Sequence, residues 1–125
     1  MTTPVSRWPA PEDCPCVALM GGTFDPVHLG HVSLGLAARD AAGAAWLVFM
    51  PAARNPLKPV PPLLSDRERV ELLAIATEGL DRVGVSTLEI DESDGVSPSY
   101  TVDTLRTLAV TLPVHLQPAL AEEGA

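Results

Sequence analysis

Positive charge, aromatic side chains and the common glycine-rich phosphate signatures are all scarce or absent in this sequence. Aromatic residues make up 4% of the chain, and 8 Lys and Arg are outnumbered by 16 Asp and Glu, for a formal net charge of -8. Non-specific binding to DNA or RNA needs a basic face, so no nucleic-acid partner is expected. Because Gly-x-x-x-x-Gly-Lys-Ser/Thr and Gly-x-Gly-x-x-Gly are both absent, a P-loop ATPase is excluded and a dinucleotide-dependent dehydrogenase is not expected.

Long apolar runs and paired cysteine motifs are missing as well. No run approaches the roughly 20 apolar residues of a membrane span, and residues 1–13 lack the apolar centre of a secretory signal peptide. We therefore predict a cytoplasmic protein without a membrane partner. Cys14 and Cys16 are too close together for an easy disulfide and have no second pair with which to bind zinc, so we predict two ordinary thiols.

The length of 125 residues allows one domain at most. Apolar residues make up 46% of the chain, which is enough for a core built mainly from leucine, valine and alanine. Residues 1–15 contain four prolines and few large apolar side chains, so we predict a disordered or loosely attached leader. Residues 16–112 are predicted to form the domain, and residues 113–125 are predicted to form a tail.

The order of apolar patterns predicts an α/β fold. Residues 17–20 form a short apolar run, apolar residues then recur at helical spacing from Leu29, and Gly43 stands where a C-terminal cap belongs. Residues 45–50 are continuously apolar, as in a strand buried on both faces. A strand, a helix and a strand joined by short links form a βαβ unit, whose two strands are parallel.

Further patterns extend this unit to about three strands and three helices. Residues 65–68 form a capping box at the start of a helix that runs to about residue 78, with Arg67 and Arg69 predicted at its surface. Residues 83–90 alternate well enough for a third strand, and residues 99–112 carry the spacing of a third helix.

The stretch that says most about chemistry is residues 20–31, which read Met-Gly-Gly-Thr-Phe-Asp-Pro-Val-His-Leu-Gly-His. Gly21 and Gly22 have no Cβ, so the backbone there can take a positive φ and let a ligand come close. His28 and His31 share one face of the first helical turn if the helix begins at residue 27 or 28. At that end of a helix the backbone N–H groups are unpaired and the dipole is positive, which favours phosphate.

Three interpretations of the histidine pair are open at this point. Two imidazoles can donate hydrogen bonds to phosphoryl oxygens, with Gly30 between them keeping the surface open. A His-x-x-His pair can also bind metal, although zinc usually needs three or four protein ligands and only Asp25 is near enough to be a third. The two histidines can instead be purely structural.

A proline-rich connection over residues 51–64 follows the second predicted strand. Since it leaves the carboxyl end of a parallel strand, we expect it at the same sheet edge as the glycine pair, where such folds bind ligands. Asn55 and Lys58 belong to this connection, and Lys58 is the predicted phosphate contact. The alternative for Lys58 is a solvated surface lysine.

Two strings in the sequence resemble those of a known family. Gly-Gly-Thr-Phe-Asp-Pro-x-His-x-Gly-His resembles the signature of nucleotidylyltransferases, most of all that of nicotinate mononucleotide adenylyltransferases. Ser-Tyr-Thr-x-Asp-Thr-Leu, at residues 99–105, strongly resembles a second segment of the same enzymes. The resemblance implies a Rossmann-like nucleotidylyltransferase fold with a parallel sheet.

The resemblance also implies three groups of site residues. The implied catalytic residues are His28, His31 and Lys58. The implied ATP-binding residues are Gly21, Gly22, Thr23, Phe24, His28, Gly30 and His31. The implied substrate-binding residues are Asp25, Asn55, Lys58, Ser99, Tyr100 and Thr101, and the N–H groups at the start of the third helix would take the nicotinate carboxylate.

The activity that this resemblance implies is adenylyl transfer from ATP to nicotinate mononucleotide. The products would be nicotinate adenine dinucleotide and pyrophosphate, which is a step of NAD biosynthesis. ATP and nicotinate mononucleotide would be the partners, and Mg²⁺ would accompany ATP as the cofactor. No protein nucleophile is required, so catalysis would consist of positioning and charge stabilisation.

The resemblance covers about residues 17–112. Family members continue with two more parallel strands and an Ile-Ser-Ser-Thr-x-Ile-Arg type of motif that holds ATP phosphates, and this sequence has no such motif. We therefore expect only the first half of the fold, in a chain truncated at its C-terminus. The strand before the glycines would then be an exposed sheet edge, open to self-association. The alternative function is a truncated, catalytically impaired nucleotide-binding remnant of the same family.

Overall fold

Strands and helices alternate along the chain in the computed structural model, which describes residues 2–53 and 62–91. In chain order the elements are β1 (Val5–Ser6), β2 (Val17–Gly22), α1 (Leu29–Ala42), β3 (Trp46–Pro51), α2 (Asp66–Ala76), β4 (Val83–Ser86) and α3 (Leu88–Asp91). The four strands form one sheet in the order β1-β4-β3-β2, and every neighbouring pair is parallel. The predicted α/β class with a Rossmann-like parallel sheet is confirmed.

Strand β3 is the centre of the core, as its continuous apolar run predicts. Leu47 and Phe49 point into the larger cluster, which also contains Leu73 of α2, whereas Met50 packs with Leu88 in a second cluster. Successive side chains of a strand point to opposite faces, so the two clusters lie on opposite faces of the sheet. A strand covered on both faces needs apolar residues at every position, which is what its sequence supplies.

Helix α1 packs closely on the sheet because Gly35 has no side chain. A Cβ at this position would lie 2.9 Å from a methyl group of Leu47 and 3.1 Å from the ring of Phe49. The helix ends at Gly43, whose φ of 67° is in the left-handed region and whose N–H bonds back to carbonyls of the last turn. The predicted C-terminal cap at Gly43 is confirmed.

The N-terminal segment differs from the predicted disordered or loosely attached leader. Strand β1 pairs in parallel with β4, and the N–H of Val85 donates to the Pro4 carbonyl at 3.0 Å. The buried hydroxyls of Thr3 and Thr77 lie 2.8 Å apart. A proline has no N–H to offer a ladder, but the Pro4 carbonyl can still accept, and prolines are tolerated at the edge of a sheet. The leader prediction is therefore wrong for this segment.

The third predicted strand is shorter than the alternating pattern of residues 83–90 indicated. Strand β4 ends at Ser86, and the short helix α3 follows. The Oγ of Ser86 accepts from the N–H of Leu88 at 3.2 Å, and the hydroxyl of Thr87 bonds the carboxylate of Asp91 at 2.8 Å. These local side-chain bonds favour a helical turn over a longer strand.

Among the strands that the structure describes, β2 is the outermost on its side of the sheet, as expected for the strand that precedes the glycines. Within residues 2–53 and 62–91, β3 is its one strand neighbour. The third helix predicted over residues 99–112 and the predicted tail over residues 113–125 fall outside the described residues. In the part of the chain that the structure describes, no helix is both long and apolar enough to cross a membrane.

Candidate functional site

The candidate site lies at the carboxyl ends of the parallel strands, where the chain leaves β2 and β3. These two strands end side by side, with Gly22 paired to Pro51 and the N–H of Ala52 donating to the Gly22 carbonyl at 2.8 Å. Helix α1 begins at Leu29, with six residues between it and the end of β2, so its positive end faces the same edge. Parallel α/β sheets bind ligands at this edge.

His28 and His31 together form a reciprocal capping box at the start of α1. His28 is the N-cap residue, and its Nδ1 accepts a hydrogen bond of 3.1 Å from the N–H of Gly30. The Nδ1 of His31 accepts one of 3.1 Å from the N–H of His28. The expected common face is confirmed, although the helix begins one or two residues later than the sequence prediction assumed. Two imidazoles thus do what Ser and Glu usually do at a helix start.

The capping bonds determine which ring nitrogen of each histidine carries the proton. A nitrogen that accepts from a backbone N–H must be unprotonated, so each neutral ring has its proton on Nε2. The two rings stack with their centroids 3.7 Å apart and an interplanar angle of 26°. The two Nε2–H donors therefore belong to stacked rings at the positive end of a helix, which is an arrangement suited to an anion.

The pKa of His31 favours the neutral ring that the capping box requires. Burial lowers the pKa of His31 from its ordinary value, and the neighbouring charge of His28 lowers it further. His31 is half-buried and meets the edge of the Phe24 ring, with centroids 5.1 Å apart and an interplanar angle of 83°. Protonation would set an Nδ1–H donor against the N–H of His28, so the cap and the pKa act in the same direction.

Phe24, rather than either glycine of the signature, adopts the left-handed backbone. Its φ is 51°, and its ring is buried against Phe49 and His31. A Cβ at Gly22 would lie 3.2 Å from that ring, so this glycine makes room for an aromatic side chain. Gly21 and Gly22 do not use the positive φ that glycine allows, because both lie within β2.

Gly21 and Gly30 have different surroundings. A Cβ at Gly21 would approach no atom closer than the Met50 carbonyl oxygen at 4.0 Å, so the space above this exposed residue is open among the described residues. A Cβ at Gly30 would lie 2.9 Å from the Cε1 of His28. Gly30 therefore accommodates the capping imidazole, which is a more specific role than keeping the surface open.

Asp25 holds the far end of the connection between β3 and α2. Its Oδ2 accepts from the N–H of Leu63 at 2.7 Å, and its Oδ1 accepts from the N–H of Leu64 at 2.9 Å. Within residues 2–53 and 62–91, no group of three or more His, Cys, Asp or Glu is placed to hold a metal ion. In this arrangement Asp25 fixes the backbone of residues 63 and 64, just before α2 begins.

Arg69 is buried, although its position near the start of α2 was predicted to be at the surface. Its Nη1 donates to the Thr23 carbonyl at 2.8 Å and to the Ala52 carbonyl, and its Nη2 bonds the carboxylate of Asp66. None of its surface is exposed, whereas Arg67 is exposed as predicted. The signal for burial was present, because Arg69 precedes Leu73 by four residues and shares its helix face.

Most of the site residues predicted from the sequence therefore lie together in the structure. The signature residues from Gly21 to His31 surround one sheet edge. The Oγ1 of Thr23 is buried there without a hydrogen-bond partner among the described residues. The following predicted residues lie outside the described ranges: Asn55, Lys58, Ser99, Tyr100 and Thr101.

Comparison with known proteins gives one family and a set of bacterial relatives. The cytidylyltransferase-like family matches residues 19–118. A probable nicotinate-nucleotide adenylyltransferase of Herpetosiphon aurantiacus is 39% identical over 101 residues, which cover 81% of this chain and 48% of the relative. Proteins of the same name from Gloeobacter violaceus and Listeria monocytogenes are 37% and 35% identical over 97 residues, or 78% of this chain and 46% and 50% of theirs. The chain spans about half the length of the curated relatives it matches.

Proposed function

Because the chain belongs to the cytidylyltransferase-like family, we propose that it transfers the adenylyl group of ATP to nicotinate mononucleotide. Relatives that carry the name nicotinate-nucleotide adenylyltransferase support this choice of substrates. The observation that carries the proposal is the capping box of His28 and His31. It uses the Nδ1 of each ring and so leaves each Nε2–H as a donor at the positive end of α1.

The reaction is a displacement at phosphorus. An oxygen of the 5′-phosphate of nicotinate mononucleotide forms a bond to the α-phosphorus of ATP. The bond from that phosphorus to the oxygen bridging to the β-phosphate breaks, and pyrophosphate leaves with the electron pair. No protein nucleophile takes part, so the contribution of the chain is to bind, orient and stabilise charge.

His28 and His31 are proposed to donate from Nε2 to the phosphate oxygens on which charge builds up. The donors are held in advance by their Nδ1 bonds to the backbone, so they need no rearrangement when the transition state forms. Mg²⁺ is part of the substrate, since it binds ATP phosphates and usually keeps several waters and few protein ligands. Mg²⁺ prefers oxygen ligands, so the N–H groups of two imidazoles suit phosphate oxygens better than the metal ion.

The remaining predicted residues complete the proposal. Gly21, Gly22, Thr23, Phe24 and Gly30 are assigned to the ATP side, and the open space above Gly21 supports that assignment. Lys58 is assigned to phosphate, and Asn55 to the mononucleotide. Residues 99–101 are assigned to the nicotinate carboxylate, so nicotinate mononucleotide should be preferred over the neutral nicotinamide analogue.

The experiment that tests this proposal separates the capping role of the histidines from their donor role. The double variant His28→Ser, His31→Gln keeps a capping box of ordinary composition, like the one that Ser65 and Glu68 form at the start of α2. It removes both imidazole donors. We expect an unchanged fold, while pyrophosphate release from Mg-ATP and nicotinate mononucleotide falls by about 100- to 1,000-fold.

The matched control is Ser65→Ala, which weakens the other capping box by about 1 kcal/mol and should leave turnover unchanged. Wild-type turnover in the histidine double variant would overturn the proposal, because the pair would then be only a cap. If the wild-type chain binds Mg-ATP through the histidines without releasing pyrophosphate, the nucleotide-binding remnant is the better description.

A further inference from the structure

Two side chains tie the signature segment to both ends of the connection that joins β3 to α2. At its start, the guanidinium of Arg69 donates to the carbonyls of Thr23 and Ala52. At its end, the carboxylate of Asp25 accepts from the N–H groups of Leu63 and Leu64. Both contacts are made by charged groups on short, directed hydrogen bonds, which are the stronger class.

We propose that Arg69 and Asp25 are positioning residues, a clamp that fixes the segment of residues 23–25 against the two ends of the β3–α2 connection. This inference rests on the proposed function, because the segment that the clamp fixes leads into the start of α1, where His28 and His31 are proposed to bind phosphate. Neither residue is assigned a contact with the reacting atoms. Their effect passes through the backbone and through Phe24.

The route from the clamp to the histidines is short. Arg69 fixes the Thr23 carbonyl, and the next residue, Phe24, is held in the left-handed region at a φ of 51°. The Phe24 ring meets the edge of the His31 ring, which in turn stacks on His28. A shift of the Thr23 backbone would therefore move the Phe24 ring, and with it the packing of His31 and His28.

Stability alone does not explain a fully buried arginine at this position. Replacing a buried ion pair by well-packed apolar residues is often neutral or stabilising. Arg69 instead reaches two carbonyls and the Asp66 carboxylate with one planar fork. A lysine has a single charged nitrogen without that fixed geometry, so it is not equivalent at such a position. The arrangement gives a defined spacing between the ends of two strands.

The test uses Arg69→Lys and Asp25→Asn in the full chain, with Arg39→Lys as the matched control. Arg39 is also buried, lies in the last turn of α1, and donates from Nη1 to the carbonyls of Asp81 and Arg82. The same substitution there disturbs a comparable set of hydrogen bonds, none of which involves the signature segment or the connection. All proteins are assayed well below their melting temperatures.

Two readouts are combined. Turnover is measured as kcat and KM for pyrophosphate release, and amide hydrogen exchange is followed by NMR at Leu63, Leu64 and Gly30. For both clamp variants we expect kcat to fall by about 10- to 100-fold. Exchange at Leu63 and Leu64 should rise in Asp25→Asn, and the His31 ring resonance should shift in Arg69→Lys. Arg39→Lys should lower the melting temperature and keep wild-type kcat.

The clamp proposal is overturned if kcat falls in proportion to the loss of melting temperature in all three variants. It is also overturned if exchange at Leu63 and Leu64 and the His31 resonance stay at their wild-type values in the clamp variants. If the wild-type chain shows no turnover, the proposed function fails by itself. The exchange and resonance data then still decide whether Arg69 and Asp25 hold the signature segment.

Discussion

Gly30→Ala is the substitution that most directly tests how the start of α1 is built. The added Cβ would lie 2.9 Å from the Cε1 and 3.0 Å from the Nδ1 of His28, closer than such contacts normally come. Because the His28 side chain is exposed, its ring can swing away and relieve the clash. It would then lose its bond to the N–H of residue 30 and its stacking on His31.

Two effects of similar size oppose each other in this variant. Loss of an N-cap side chain costs about 0.5–2 kcal/mol of stability. Replacing glycine by alanine within a helix gains up to about 1 kcal/mol. We therefore expect the free energy of unfolding of Gly30→Ala to stay within about 1 kcal/mol of wild type. Under the proposed function, turnover should fall strongly, because the displaced imidazole would no longer donate from Nε2 to the phosphate of ATP.

A double-mutant cycle separates the steric clash between residue 30 and His28 from the higher helix propensity of alanine. In a His28→Ser background the serine side chain is too short to meet the new Cβ, so Gly30→Ala should show only its gain of up to about 1 kcal/mol. The predicted coupling between the two substitutions is therefore about 1 kcal/mol. Urea unfolding followed by circular dichroism measures it. A coupling energy of this size is equivalent to a shift in melting temperature of roughly 4–8 °C for a domain of this size.

Additivity of Gly30→Ala and His28→Ser within about 0.3–0.5 kcal/mol would refute the reasoning. It would mean that the ring of His28 does not occupy the space beside Gly30. Wild-type turnover in Gly30→Ala would refute the predicted loss of activity, since the imidazole would then donate equally well from another position.

Two further predictions concern pH and assembly. The folded-state pKa of His31 lies below its unfolded value of about 6.5. Its contribution to stability is therefore present above that pH and is lost as the pH falls through the folded-state pKa. In His31→Gln, the urea midpoint of unfolding should depend less on pH between about pH 7 and 5. Because β2 pairs with β3 alone among the described strands, the chain should self-associate as its concentration rises, and one monomer peak across a concentration series in size-exclusion chromatography would contradict this.

The elements that depend on local sequence are the ones that the sequence predicted correctly. The capping box of Ser65 and Glu68 is present in both directions, with the Oγ of Ser65 accepting from the N–H of Glu68. The left-handed cap at Gly43 and the doubly buried run of β3 also follow from nearby residues. Each of these features is decided within a few positions of the chain, so periodicity and capping rules reach them.

The features that the sequence did not predict depend on distant partners. Arg69 is buried because two carbonyls from the ends of β2 and β3 meet at its guanidinium, and no local pattern shows those carbonyls. Strand β1 has two residues and exists only because β4 offers it an edge. The ring orientation of His28 and His31 depends on backbone donors, so the sequence predicted their common face and not their capping bonds.

The pairing of β1 with β4 has a consequence for the order in which the chain is made and folded. The Oγ of Ser86 donates to the carbonyl of Arg7, which was synthesised 79 residues earlier. At about 5–20 residues per second on the ribosome, roughly 4–16 s separate the emergence of the two partners. Strands β2 and β3 can join through their own crossover during that interval. Strand β1 therefore leaves the ribosome before the other described strands and is the last of them to be added to the sheet, because its hydrogen bonds wait for the nascent chain to reach β4.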